Sequence, residues 1–257
     1  MLSELSPFMI IYLSLISFIL GLVMGSFCNA WAWRIVNGEK IQKGRSHCPK
    51  CGHTLAAADL VPLFSWLFLK GKCRYCKEPI SKRYPLAELI SGLWYLSMIL
   101  RFGFSLTALR FFILGSLLLV LSLVDIDTME LPGGLMTAAA AASLIRLAES
   151  IANWKSMAWG LVPAVVLLGI VLIMDKILGK ESMGGGDIKL LAVLGLHLGA
   201  AQTVLLLMIS CVIGLVAARL ANKDRETPFP FGPSLALAAW ITALIGEPVI
   251  NVYLSFF

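Results

Sequence analysis

Six stretches of this chain run without an Asp, Glu, Lys or Arg: 5–33, 111–124, 131–145, 156–174, 190–218 and 227–246. A helix that crosses a bilayer needs about 20 apolar residues, roughly 17–25. Soluble domains scatter charges more densely, at about 25% of residues; here 59% of residues are hydrophobic and 14% charged. The runs therefore predict an all-α fold, a polytopic membrane helix bundle of about eight transmembrane helices. The 190–218 run suits a short helix, a break at Gly199 and a second helix. The first run lacks the basic start of a secretory signal, since Glu4 is its only early charge, and it is too long for one. Trp31 and Trp33 suit an interfacial belt, so this run reads as the first span.

Charge orients the spans. Eleven of the 21 basic residues lie between Arg34 and Arg83, which marks that segment as cytoplasmic. Alternating spans then place 125, 184–187 and 219–225 on the same side, bringing six further Lys and Arg with them. Only Arg101, Arg110, Arg146 and Lys155 fall on or near the other side. This predicts a multi-pass protein of a cytoplasmic membrane, with both focal acids described below facing the cytoplasm.

The basic segment contains Cys48-Pro49-Lys50-Cys51 and Cys73-Arg74-Tyr75-Cys76, two Cys-x-x-Cys pairs separated by 21 residues. Each pair aims two sulfurs at one point, and two pairs make a four-thiolate zinc site. Two disulfides are the alternative, but they rarely persist in the cytoplasm. A closed site of four cysteines leaves no position for water, so the zinc would be structural rather than hydrolytic. His47 and His53 flank the first pair as spare ligands or bystanders. Cys28 and Cys211, in apolar runs, read as buried small hydrophobes. Residues 60–69 are apolar but too short to span, so they lie on the membrane surface or pack on the knuckles. Glu88 sits one turn into the next span, suited either to a helix dipole or to binding a substrate.

Acidic residues at membrane depth are functional candidates by default. Asp125 ends the third span; Asp127 and Glu130 lie further towards water. Asp125 and Asp127, two apart, point to different helix faces, so neither pairs with the other. The partner expected for Asp125 is Asp187, after Gly184-Gly185-Gly186 at the mouth of the sixth span. A helix N-cap role explains Asp187 alone. Two facing carboxylates cannot both ionise cheaply, and such a pair can activate water and protonate a carbonyl. No Gly-Lys-Ser/Thr phosphate loop or other nucleotide fingerprint appears, and no nucleic-acid partner is expected. The composition also permits a proton-coupled transporter, although both acids lie at one face and no inverted repeat is evident.

The residues together resemble the bacterial type IV prepilin peptidases, the leader peptidase/N-methyltransferase family of Gly-x-Gly-Asp-type membrane aspartyl proteases. The likeness runs from Gly25-Ser26-Phe27-Cys28-Asn29 through both cysteine pairs, Ile80–Pro85 and Glu88. It continues through Asp125-Ile126-Asp127 with Leu131-Pro132, Gly184–Leu191 and Pro230-Phe231-Gly232-Pro233. The resemblance implies removal of short basic leaders from prepilins and pseudopilins after a glycine. It also implies N-methylation of the new terminus from S-adenosylmethionine, Asp125 and Asp187 as the catalytic pair, a bacterial inner membrane, and a zinc loop tied to methyl transfer. Three regions are then expected: 1–33, a first transmembrane helix; 34–85, the zinc-binding loop; and 86–257, the protease bundle. Glu88 is a candidate for the S-adenosylmethionine site. Gly133 stands where the family commonly has Asp, and Gly185 occupies the variable position of the glycine motif.

Overall fold

The computed structural model describes residues 6–40, 44–179, 183–220 and 229–256; the loop expected before Gly184 and the basic loop expected at 219–226 lie partly outside them. The described residues are helical apart from the cysteine loop, with two isolated β-bridges and no strand. The chain divides into two compact units, 1–104 and 105–257.

The first unit holds α1 (Pro7–Val36), the five-residue α2 (Phe64–Phe68) and α3 (Arg83–Phe102). Ser6 caps α1 by accepting from the Met9 N–H at 3.3 Å, and Pro7 sits where its missing N–H is harmless. α1 and α3 form a close pair. A Cβ on Gly25 would lie 2.8 Å from Glu88 Cα, so glycine is what lets the backbones approach. Asn29 donates to the Tyr84 carbonyl at 3.2 Å, an interhelical bond between α1 and α3.

The second unit holds α4 (Leu106–Thr128), α5 (Gly133–Ala142), α6 (Ile145–Glu149), α7 (Asn153–Gly160), α8 (Val162–Leu178), α9 (Gly185–Leu198), α10 (Ala200–Leu220) and α11 (Gly232–Leu254). α4 is its centre: Leu114, Leu118, Val120, Leu121 and Val124 are buried. α7 and α9 touch backbone to backbone, since a Cβ on Gly160 would run into the Gly195 carbonyl. Gly199, at φ 87°, ends α9 as expected.

Against the roughly eight spans expected, five helical stretches among the described residues are long and apolar enough to cross a membrane: α1, α4, 153–178, α10 and α11. α3 has 20 residues but carries Arg83, Glu88 and Arg101. α5 and α9, at 10 and 14 residues, rise only about 15 and 21 Å, short of the roughly 30 Å hydrocarbon core. Cys28 is buried as expected, whereas Cys211 is exposed on α10. An apolar membrane solvent makes protein cover unnecessary for a thiol.

The end of the second unit remote from Asp125 is closed by a buried polar cluster. Arg110 donates to the His197 carbonyl at 2.8 Å, and His197 Nε2 meets the Ala139 carbonyl at 2.9 Å. Glu149 lies 3.7 Å from Arg110, and Arg146 donates to the Leu196 carbonyl and to Ser156. These bonds tie α4, α5, α6, α7 and α9 together and fix α9 along its axis.

Candidate functional sites

In the second unit, Asp125 occupies the last turn of α4, 4% exposed. That turn is closed by Met129 in a left-handed conformation, φ 55°, whose N–H donates to the Asp125 carbonyl at 2.8 Å. Asp127 and Glu130 are exposed. The Asp125 side chain is held from the other direction: its Oδ2 accepts the Gly232 N–H at 2.9 Å. Gly232 is the first residue of α11, so a helix N-terminus points a spare donor at the carboxylate. A Cβ on Gly232 would lie 2.8 Å from that same oxygen. This contact was not foreseen from the sequence. Its one signal in the sequence is Pro230-Phe231-Gly232-Pro233, which carries part of the family likeness.

Asp187 opens α9. The N-cap is Gly184, and Asp187 stands three residues further on, so it is not the cap. Asp125 and Asp187 line one cavity of about 360 Å³ and lie within each other's electrostatic reach. Met129, Leu131 and Met136 form its apolar wall, Gly184–Gly186 a wall without side chains, and Glu130 and Lys189 also line it. The glycines are not equivalent. A Cβ at Gly184 would lie 3.2 Å from Asp187 Oδ2, one at Gly186 would lie 3.3 Å from Leu131, and one at Gly185 meets nothing within 4 Å. An extended peptide backbone can approach such a wall, and two carboxyl groups opening on one cavity can exchange protons with a bound water and an amide.

In the first unit, both cysteine pairs fold into the same knuckle. Cys48 N–H donates to the His53 carbonyl at 3.0 Å, and Cys73 N–H to the Glu78 carbonyl at 2.8 Å. His47 bridges to Thr54 and Lys72 to Pro79, at matching offsets. The residue after each second cysteine, Gly52 or Lys77, takes positive φ. One ligand atom from each of Cys48, Cys51, Cys73 and Cys76 lies within 4.8 Å of the others, and Cys48 Sγ is 3.9 Å from Cys76 Sγ. Zinc–sulfur bonds of about 2.3 Å in a tetrahedron put sulfurs about 3.8 Å apart, so the donor set fits such an ion. Backbone N–H groups of the knuckles, that of Cys51 beside Cys48 and that of Glu78 beside Cys76, favour the thiolate forms that a metal would bind.

Neither histidine joins the cluster: His47 sits edge-on to Trp33, and His53 lies tilted against Tyr75, ring centroids 3.6 Å apart. Asp59 braces the second knuckle, accepting from Arg74 at 2.6 Å and from Tyr75 at 3.2 Å. Arg74 holds its carboxyl below the usual range. Glu88 is buried, and its Oε2 accepts the Leu63 N–H at 2.8 Å, so this oxygen is engaged within its own unit.

Residues 19–102 match the Bacterial Peptidase A24 N-terminal domain, and residues 112–218 match the Type IV leader peptidase family. A protein of Stutzerimonas stutzeri named prepilin leader peptidase/N-methyltransferase is 40% identical over 217 residues, which cover 82% of this chain and 75% of that protein. Proteins of the same name from Pseudomonas aeruginosa and Bacillus subtilis are 38% and 34% identical. The P. aeruginosa match covers 82% of this chain and 75% of its relative; the B. subtilis match covers 93% and 97%. No solved structure matches the chain. These findings favour the peptidase over the transporter reading.

Proposed function

This chain belongs to the type IV leader peptidase family, and from that premise we propose that it removes the leaders of prepilins or pseudopilins and N-methylates the terminus so exposed. Cleavage falls after a glycine, on the cytoplasmic side of a bacterial inner membrane. The observation that supports this reading is the single cavity lined by Asp125 and Asp187.

One carboxylate of the pair takes a proton from water as the oxygen attacks the scissile carbonyl. The other donates a proton to the carbonyl oxygen, giving a tetrahedral diol. The first carboxyl then returns its proton to the leaving nitrogen while the second takes one back from a diol hydroxyl, the C–N bond breaks, and the pair is restored. The Gly232 N–H holds Asp125 throughout. Gly184–Gly186 leave room for the substrate backbone, and Met129, Leu131 and Met136 offer it an apolar wall.

Cys48, Cys51, Cys73 and Cys76 would hold zinc, which supplies a cross-link between the knuckles in a loop with little core of its own. S-adenosylmethionine would supply the methyl group, in keeping with the N-methyltransferase in the relatives' names. By this reading 34–85 serves methyl transfer and 86–257 proteolysis. The deciding experiment is mass spectrometry of a prepilin incubated with the purified protein, with and without S-adenosylmethionine. A loss equal to the leader mass, a methyl gained only with the donor, and no cleavage by Asp125→Asn or Asp187→Asn are expected. Normal cleavage by either variant removes the pair from the mechanism.

A further inference from the structure

The apolar insert of the cysteine loop offers a surface that the proposed chemistry does not use. Pro62-Leu63-Phe64 make a tight turn: Leu63 has φ 60° and ψ −51°, and the Phe64 N–H reaches the Pro62 carbonyl at 2.6 Å. This is the positive-φ γ-turn, which is rare and strained for a side-chain-bearing residue. It persists because the Leu63 N–H is held at 2.8 Å by the buried Glu88 carboxylate on α3.

The turn launches α2 in a fixed orientation. Trp66 faces inward: its ring lies against Gly71, where a Cβ would sit 2.9 Å away, and its Nε1 donates to the Ile80 carbonyl at 3.2 Å. The opposite side is left bare, with Phe64, Leu67 and Phe68 exposed at 54%, 61% and 82%. Phe64 and Phe68 stack one turn apart, so the bare side is one continuous apolar strip.

Glu88 also sets the depth of this strip. It lies five residues into α3, about 7.5 Å below the level of Arg83. On the same helix Leu86, Leu89, Ile90 and Leu93 are exposed, as suits residues that meet lipid tails. Leu63 is therefore pinned near the boundary between headgroups and acyl chains. Interfacial helices bury their apolar faces about 5–10 Å into that boundary. In the chain that follows the strip, Lys70, Lys72, Lys77 and Lys82 are exposed, against the one exposed acid Glu78. That excess of positive charge complements an anionic leaflet.

We propose that Phe64, Leu67 and Phe68 insert into the anionic bilayer surface, and that the Glu88–Leu63 bond sets their depth. The cysteine knuckles are thereby anchored to the membrane at a second point besides the chain connections to α1 and α3.

The test uses the full chain in nanodiscs of phosphatidylcholine and phosphatidylglycerol. An environment-sensitive fluorescent amino acid is placed at Phe68 and, in a second sample, at Thr54, which is exposed elsewhere in the loop. Lipids brominated near the top of their acyl chains should reduce emission at Phe68 and leave Thr54 unchanged. Iodide in the water should do the reverse. Glu88→Gln keeps an acceptor for Leu63 and should keep the lipid quenching; Glu88→Ala should lose it. Should Glu88→Ala fail to fold, the two probes in the otherwise unchanged chain decide the matter. Quenching of Phe68 by iodide rather than lipid overturns the proposal. So does a Phe68 probe shielded from both quenchers, which would indicate a protein partner or a second copy of this chain.

Discussion

Replacing Gly232 by Ala should separate activity from stability. The glycine does not take positive φ, and it begins a helix, so the backbone accepts alanine. Alanine is favoured over glycine in helices by up to about 1 kcal/mol, which works for the fold. The new methyl, however, would stand 2.8 Å from Asp125 Oδ2 and 3.3 Å from its Cγ, tighter than ordinary contact. The carboxylate is the lighter and more mobile group, so it is the part that turns. Turning breaks its 2.9 Å bond to the Gly232 N–H. A hydrogen bond to a charged group contributes about 1.5–3 kcal/mol. At about 1.4 kcal/mol per decade, its loss in the transition state lowers kcat roughly 10- to 150-fold. Initial rates of leader removal by purified variants, measured by mass spectrometry beside thermal unfolding, give both quantities. The helix gain offsets only part of the lost bond, so the expected result is a depressed kcat with an unfolding temperature a few degrees below that of the parent. A variant that cleaves at the parental rate refutes the role given to this contact, and one that no longer folds shows the fold to be what was damaged.

Four further outcomes are expected. Asp125→Asn and Asp187→Asn should abolish cleavage while the protein still inserts into membranes, read by flotation with the membrane fraction. In the glycine motif, Gly185→Ala should cleave normally and Gly184→Ala and Gly186→Ala more slowly, since only the latter two would crowd Asp187 or Leu131; equal rates in all three would contradict the geometry. Cys48→Ser should lower zinc content by elemental analysis and reduce methylation more than leader removal. Asp59 is depressed in the folded loop by its bond to Arg74, so it stabilises the loop above its unfolded value of about 3.9 and loses that effect as pH falls through the folded value. Hydrogen exchange in the loop should therefore quicken at acid pH less steeply in Asp59→Asn than in the parent.

The sequence makes the parts of this molecule readable where the physics is local. Runs without charge become helices because an unpaired backbone is intolerable in lipid. Gly199 breaks one of them because a bare Cα accepts φ 87°. The cysteine spacing gives the metal cluster because each knuckle closes on its own five-residue turn. Other features depend on contacts between distant segments. The Gly232 donor to Asp125 joins residues 107 apart, and the Glu88 acceptor for Leu63 joins residues 25 apart. Glu88 thus read as a dipole or substrate group when its partner was an amide in the insert. The alternative N-cap role for Asp187 fails by three residues, because Gly184 is the N-cap of α9. Cys211 was placed inside by its apolar neighbours, although a lipid-facing surface is just as apolar.

α9 has a consequence for the supply of the second reactant. Hydrolysis in an oily medium is starved of water, yet a helix of 14 residues falls about 9 Å short of the hydrocarbon thickness. Arg146 and Arg110 fasten its far end to the remainder of the bundle, so the shortfall gathers at the end bearing Asp187. At that end the exposed Met129 and Glu130 line the cavity beside the acid pair. Water therefore has a path to the two carboxyl groups from the mouth of the bundle, without crossing the hydrocarbon core.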